Sequence, residues 1–322
     1  MHPFRFAATM PAPASPLADW HAQLRHLEDL GLSSVVAADH FTGGYTFEPV
    51  VALTAAAAAT TRLRLQTGVL GNDYRHPVLV HRMAALLDVV SDGRLVLGLG
   101  AGWMTSDYDA AGIRLDPAGV RVSRFAEALA VIKGLFGSAP FDFEGEHYSV
   151  HSLDGLPKPV QQPHPPLFVG GGSPRVLRLA GREADIIGIN ASLRAGELGA
   201  HAVRDLTVER VAEKIGWARE GARAAGRDPD SLALEMNHWL ARVTPTASAA
   251  DDLLARMGAR FDIEPSVLAA SPSVLVGTAS QIVDTLQARR EQLGISDLQL
   301  DAGFPTPDLD AFAPVIETLA GT

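Results

Sequence analysis

Short apolar runs alternate with amphipathic helical segments along the whole of this chain, and this alternation limits the folds that it can adopt. Such a pattern is typical of consecutive strand–helix units, which build a parallel sheet. No linker that would separate two domains interrupts it. We predict eight strands, in the segments Phe4–Thr9, Ser33–His40, Leu63–Leu70, Arg94–Gly100, Pro166–Gly172, Ala184–Asn190, Leu232–Trp239 and Ser296–Leu300.

The predicted strands are near-continuous apolar runs, which indicates that both of their faces are covered. A doubly wound open sheet is the alternative, but eight strand–helix repeats in one chain favour closure into a barrel. We therefore predict one domain over residues 1–322, a (β/α)8 TIM barrel with insertions after strands four, five and seven. We assign the insertions to Trp103–Gly119, to Phe141–Pro166 and to a helical segment that begins at Ala247.

Charge and cysteine content exclude several classes of function. The formal net charge is −10, without a run of Lys or Arg, so nucleic acid is a poor partner. Because the chain has no cysteine, it has no disulfides, thiolate metal sites or cysteine nucleophiles. The histidine spacing predicts no metal site. No apolar run is long enough for a membrane span and no signal peptide is evident, so we expect a cytoplasmic protein.

Functional groups of a (β/α)8 barrel gather at the carboxyl ends of its strands, and polar and glycine residues concentrate there in this chain. Strand two ends in Asp39-His40, and histidine is well suited to proton transfer near neutral pH. A structural role for a single histidine is the alternative. Strand three ends in the segment 68–75, which begins with Gly68 and ends with Arg75.

The segment GGGSP follows strand five. Gly170, Gly171 and Gly172 precede Ser173, a possible helix N-cap, and Pro174 at the first helical position. Backbone N–H groups at such a helix start attract phosphate, so these residues are predicted to bind a phosphate group. The alternative is a tight turn with positive φ, which one glycine would satisfy.

The segment GLGAGW at residues 98–103 follows strand four. It is not a dinucleotide fingerprint, because Trp103 stands where the third glycine of G-x-G-x-x-G would be. Taken alone, the segment fits a packed strand end or one side of a cofactor site. On the second interpretation, Gly100 and Gly102 contact the cofactor.

Four segments together resemble the bacterial luciferase-like flavin and deazaflavin oxidoreductases, in particular the branch that uses coenzyme F420. They are SSVVAADHF, AATTRLRLQTGVL with YRHP, LLDVVSDGRLVLGLGAGW and LFVGGGSP. The resemblance implies a barrel with the cofactor across its mouth, and Asp39 and His40 beside the deazaflavin ring. It also implies a non-prolyl cis peptide under the ring, for which Gly68-Val69 is the candidate, and phosphate on the three glycines.

The resemblance leads to an oxidoreductase hypothesis. Reduced F420 would transfer hydride from ring carbon C5 to a C=C or C=N bond, with His40 as proton donor and Asp39 orienting His40 or the ring. Sugar-phosphate dehydrogenases of this branch carry glutamate at the position of Trp103, so alcohol oxidation is not expected. The alternatives are an FMNH2-dependent monooxygenase, because the GW signature is shared with that group, and a non-catalytic cofactor-binding barrel.

The substrate and the oligomeric state are predicted more coarsely. Trp103, Met104, Tyr108 and Trp239 are expected to contact a small apolar or aromatic substrate, although each could instead anchor its own loop. By analogy with the family, a homodimer through helices two and three is expected, and the alanine-rich segment Ala52–Ala59 would allow close helix packing.

Overall fold

Eight parallel strands form a closed ring, as the repeated strand–helix pattern predicts. A computed structural model describes residues 1–193, 200–300 and 308–322. The strands are β1 Arg5–Thr9, β2 Ser34–Ala37, β3 Arg64–Thr67, β4 Leu70–Gly71, β5 Leu95–Gly100, β6 Phe141–Glu144, β7 Ser149–Leu153, β8 Leu167–Gly171, β9 Ile186–Ile189, β10 Ala233–Asn237, β11 Leu240–Val243, β12 Val274–Gly277 and β13 Ile295–Gln299. The ring runs β1-β2-β3-β5-β8-β9-β10-β13 and closes from β13 to β1.

Helices cover the outside of this ring. They are α1 Leu17–Asp29, α2 Pro49–Ala59, α3 Pro77–Val90, α4 Thr105–Ala111, α5 Ala118–Phe136, α6 Pro174–Glu183, α7 Ala200–Arg204, α8 Val208–Ala224, α9 Ala247–Phe261, α10 Pro265–Ala270, α11 Ala279–Leu293 and α12 Ala313–Leu319. Because helices cover the ring, every residue of β2, β5 and β9 is buried, which explains the unbroken apolar sequences of β5 and β9. In the part of the chain that the structure describes, no helix combines the length and apolar character needed to cross a membrane.

Two of the three predicted insertions are confirmed. The connection after β5, the fourth barrel strand, contains α4. The connection after β10, the seventh, contains α9 and α10 together with a parallel pair, β11 and β12, that the sequence analysis did not predict.

The predicted insertion after strand five is wrong. The hairpin β6–β7 does form within Phe141–Pro166, but it precedes β8, the fifth barrel strand, and only α6 links β8 to β9. The physical reason is its packing: Phe141 and Val150 of the hairpin contact Val131 and Leu135 of α5 in one apolar cluster. The hairpin therefore extends the connection between α5 and β8.

Candidate functional site

The residues that follow the barrel strands meet at the carboxyl mouth of the ring. His40 follows β2 and Trp103 follows β5, and the two rings are in edge-to-face contact with centroids 5.5 Å apart. Tyr45 also packs against His40, at a centroid distance of 4.7 Å. Strand ends that are distant in sequence are thus brought into one aromatic cluster around a histidine.

Asp39 is held by an arginine. Its buried carboxylate accepts hydrogen bonds from both terminal nitrogens of Arg75, at 2.5 and 3.1 Å, and from the Gly71 N–H at 2.9 Å. Burial lowers the pKa of Arg75, but Asp39 and Glu48 more than offset this and raise it above its usual value. Arg75 stays charged, so Asp39 has a permanent counter-ion.

His40 has a different acidic partner. Asp107 of α4 is fully buried, and its Oδ2 lies 2.6 Å from the Nδ1 of His40. The carboxylate of Asp39 is directed to Arg75 and Gly71, so Asp107 and not Asp39 is the acid that faces His40, contrary to that part of the prediction. The predicted place of Asp39 beside a deazaflavin ring stays a prediction.

Asp107 also holds the turn that follows His40. Its Oδ1 accepts from the N–H groups of Phe41 and Thr42, at 3.1 and 2.9 Å, and from the Thr42 hydroxyl at 2.7 Å. Burial raises the pKa of Asp107, but the hydrogen bonds from Thr42, His40 and Phe41 outweigh burial and hold the pKa below its usual value. Asp107 is not among the site residues predicted from the sequence, although an acid four positions after Trp103, in a predicted functional excursion, is a usable signal.

The peptide between Gly68 and Val69 is cis, as predicted. A Cβ on Gly68 would lie 2.1 Å from a methyl group of Val36, and a Cβ on Gly100 would lie 2.6 Å from a methyl group of Val69. Both glycines therefore allow the ends of β2, β3 and β5 to approach closely below the mouth. Contact of Gly68, Val69 and Gly100 with a cofactor stays a prediction.

Tyr108 anchors its loop. It is fully buried and its hydroxyl donates to Asp73 at 2.9 Å, and Asp73 in turn accepts from Arg124 at 2.9 Å. Gly102 has φ +77°, and a Cβ there would collide with the Tyr108 hydroxyl at 1.8 Å. Because its side chain is enclosed, Tyr108 anchors its loop in this structure, and its predicted contact with substrate stays a prediction. Gly102 is required by this packing, and its predicted contact with a cofactor also stays a prediction.

The other three predicted substrate-contacting residues lie in two places. Trp103 and Met104 are half-buried beside the His40 turn, and the Met104 sulfur lies 3.5 Å from the Thr42 hydroxyl oxygen. Trp239 belongs to the insertion after β10, where it donates to Ser273 at 3.1 Å and packs edge-on against a phenylalanine. Trp103 and Met104 are thus placed near His40, and a substrate contact for Trp239 stays a prediction.

The segment GGGSP joins β8 to α6. None of its glycines has positive φ, which excludes the tight-turn alternative. A Cβ on Gly171 would lie 2.4 Å from Val176, and one on Gly172 would lie 2.2 Å from the carbonyl oxygen of Ala191, while Gly170 has more room. Close packing therefore explains two of the three glycines.

The start of α6 is open to an anion. Ser173 is the N-cap residue, but its side chain makes no capping hydrogen bond, and Pro174 follows at the first helical position. Among the described residues, no side chain caps the first turn of α6, and such uncapped N–H groups are the arrangement that binds phosphate at helix N-termini. The start of α6 therefore fits an anionic group such as the phosphate of a cofactor.

No metal site accompanies this arrangement. Within the described residues, no group of three or more His, Asp or Glu side chains is arranged to hold a metal ion.

Comparisons with known proteins give two kinds of relative. The family model for luciferase-like monooxygenases matches residues 1–297. The chain is 34% identical over 175 residues to an F420-dependent glucose-6-phosphate dehydrogenase from Kineococcus radiotolerans, which covers 52% of this chain and 50% of that protein. It is 28% identical over 172 residues to an FMNH2-dependent dimethylsulfone monooxygenase from Pseudomonas putida, covering 52% of this chain and 47% of that protein.

The chain spans about half the length of these curated relatives. Among solved structures, a coenzyme F420-dependent tetrahydromethanopterin reductase from Methanopyrus kandleri superposes with a TM-score of 0.74 at 18% identity. That superposition covers 98% of this chain and 97% of the other, so the two proteins share a fold.

Proposed function

Because the chain belongs to the luciferase-like monooxygenase family, we propose that it is a reductase that binds reduced coenzyme F420 and delivers hydride to a C=C or C=N bond of a small organic molecule. The observation that carries this proposal is His40, a histidine that is anchored by Asp107 and packed against Trp103 at the barrel mouth. Reduction of such a bond requires a hydride and a proton, and His40 is placed to supply the proton. Relatives that use F420 support the choice of coenzyme.

The residues at the mouth divide the remaining tasks. The first-turn N–H groups of α6 and the segment Gly170–Ser173 would hold the phosphate. The cis Gly68-Val69 peptide would support the ring from below. When bound, the coenzyme supplies hydride from C5, and the half-buried Trp103 and Met104 limit the access of water to the reacting atoms.

The substrate class follows from the same side chains. Trp103 presents an aromatic surface beside His40, so an apolar or aromatic acceptor fits the mouth better than a sugar phosphate. Trp103 replaces the acid that dehydrogenases of the F420 branch carry there, so we expect reduction and not alcohol oxidation. The Kineococcus relative is named for glucose 6-phosphate, and we do not expect that substrate here.

A second candidate is an FMNH2-dependent monooxygenase, supported by the match to the dimethylsulfone enzyme. The two candidates differ in their response to oxygen, because a deazaflavin has carbon at the ring position where flavins carry the nitrogen that oxygen chemistry needs. A barrel that binds cofactor without turnover is the third candidate, and replacement of His40 would leave it unchanged.

Cofactor titration tests the proposal. We expect F420 to quench the tryptophan fluorescence of the purified protein at micromolar concentration, and FMN to bind more weakly. Under anaerobic conditions, reduced F420 should then be oxidised in the presence of 2-cyclohexen-1-one or 1-pyrroline. Tight binding of FMN alone, with oxygen consumption by the reduced form, would overturn the proposal in favour of the monooxygenase.

A further inference from the structure

The two oxygens of Asp107 have separate partners. Oδ1 accepts from two backbone N–H groups and a hydroxyl of the Phe41–Thr42 turn, whereas Oδ2 faces His40 at 2.6 Å, with the Tyr74 hydroxyl at 3.4 Å. An ionised carboxylate only accepts hydrogen bonds. The Nδ1 atom of His40 must therefore carry a proton and donate it to Oδ2.

We propose that Asp107 is a positioning residue that holds His40 in its Nδ1–H form, so that Nε2 is the nitrogen that exchanges a proton with the substrate. This inference rests on the proposed reductase function for the identity of the proton acceptor. An imidazole without such a partner prefers the proton on Nε2, and in that neutral form it is a poor acid. When the ring carries both protons, Nδ1–H remains bound to Asp107, and Nε2–H is the proton that can be donated.

The position of Asp107 in α4 connects two parts of the site. The same carboxylate binds the turn after β2 and belongs to the helix that starts two residues after Trp103. His40 and Trp103 are therefore held as one unit, in agreement with their edge-to-face contact. A residue that served only to close the loop would need Oδ1 but not the 2.6 Å contact of Oδ2 with the ring.

Asp107→Asn separates these two roles. The amide oxygen has to replace Oδ1, because two backbone N–H groups and the Thr42 hydroxyl point at it. The amide nitrogen then faces Nδ1 and donates a hydrogen bond to it, so the neutral His40 ring must carry its proton on Nε2. A second proton on Nδ1 would place two donors, the amide N–H and Nδ1–H, opposite each other. The loop anchor is kept while the protonation pattern of the ring is reversed.

The test is a nitrogen NMR spectrum of 15N-histidine-labelled protein at pH 8.5, in which His40 is assigned by its absence from His40→Gln. We expect the Nδ1–H form in the parent and the Nε2–H form in Asp107→Asn. With reduced F420 and 2-cyclohexen-1-one, kcat of Asp107→Asn should fall by about 10²-fold or more, while KM and the Kd for F420 stay within about twofold.

Thr42→Val is the matched control. It removes one hydrogen bond to Oδ1 but leaves the contact between Oδ2 and His40, so it should lose stability and keep the Nδ1–H form. An Nε2–H form in the parent overturns the inference even if Asp107→Asn does not fold. An unchanged form together with unchanged kcat in Asp107→Asn overturns it as well. If the parent shows the Nδ1–H form but binds no F420, the proposed reductase function is overturned. The assignment of the His40 ring form is upheld in that case.

Discussion

Asp107 lies 67 residues after His40 in the chain, yet its carboxylate is 2.6 Å from the Nδ1 of that histidine. Asp39, the sequence neighbour of His40, is bound instead to Arg75, which lies 36 residues further on. Both acids are buried, and each has an arginine, histidine or backbone donor as partner. At the scale of single residues, Asp39 and His40 therefore belong to two separate acid-centred networks among the described residues.

The first prediction concerns the proton donor. His40→Gln should reduce kcat for the reduction of 2-cyclohexen-1-one by roughly 10²–10⁴-fold, because glutamine cannot transfer a proton. The Kd for F420, measured by fluorescence quenching, should change by no more than about twofold. Turnover equal to that of the parent would remove His40 from the mechanism.

A second pair of acids lies inside the barrel, away from the mouth. Glu235 of β10 is 4% exposed, neither of its carboxylate oxygens has a hydrogen-bond partner, and it stands opposite Asp297 of β13 in the strand register. Burial, and then the charge of Asp297, raises the pKa of Glu235 to about 8. The folded protein therefore keeps a proton on Glu235 at neutral pH, whereas the unfolded chain releases it.

This raised pKa predicts the direction of a pH dependence. Between pH 4.5, the usual pKa of glutamate, and about pH 8, the folded state holds more protons than the unfolded state. The stability contributed by neutral Glu235 is therefore complete below pH 4.5 and is lost as the pH rises through about 8. Each pH unit in this window should lower the free energy of unfolding by up to about 1.4 kcal/mol. Glu235→Gln removes this dependence.

Urea unfolding of both proteins at pH 5, 7 and 9 measures the effect. The difference in free energy of unfolding between Glu235→Gln and the parent should increase in favour of the variant as pH rises. The cost of burying the glutamine amide is the same at every pH and cancels in this comparison. Parallel pH profiles for the two proteins would contradict the prediction.

At the scale of elements, the connection from β8 to α6 contains glycines that close packing requires and that we also propose to bind phosphate. Gly172 stands against the backbone of Ala191, which follows β9, and its own carbonyl accepts from Lys214 of α8 at 2.7 Å. The open N-terminus of α6 thus rests on contacts with β9 and α8. In the sequence, these glycines predict a phosphate site. In the structure, close packing also requires glycine at two of the three positions, Gly171 and Gly172.

Gly172→Ala should destabilise the protein by about 1–3 kcal/mol, because the new Cβ would lie 2.2 Å from a backbone oxygen that cannot move without displacing the end of β9. Gly216→Ala in α8 is the control. A Cβ there meets nothing within 4 Å, so replacing a helical glycine should stabilise by about 0.5–1 kcal/mol. Equal effects of the two variants in urea unfolding would show that the close approach at Gly172 is not constraining.

At the scale of the whole molecule, α2 and α3 expose an apolar surface. Val51 of α2 is 69% exposed, and Leu79, Leu86 and Val90 of α3 are each at least half exposed. Ala52, Ala56 and Ala57 face the barrel, and the exposed residues of the alanine-rich segment are Thr54, Ala55 and Ala58. This surface agrees with the homodimer expected from the sequence, which stays a prediction.

Leu86→Glu should convert the protein from dimer to monomer in size-exclusion chromatography with light scattering, because it places a charge in the middle of the apolar surface. Val267→Glu is the control, since Val267 is also exposed but belongs to α10 in the insertion after β10. A parent protein that is monomeric at high micromolar concentration would show that this surface has another role.

The sequence by itself determined the barrel and the positions of its strands, because a strand covered on both faces must be apolar throughout, as in β5, and that signal is local. It also determined which residues stand at the strand ends, including the cis peptide after β3, through the family resemblance. Local patterns could not show which side chains meet across the mouth. Closure of the ring decided that Asp107 and not Asp39 binds His40, and that Tyr108 is enclosed. These contacts join residues that are far apart in the chain, and only the folded barrel brings them within hydrogen-bond distance.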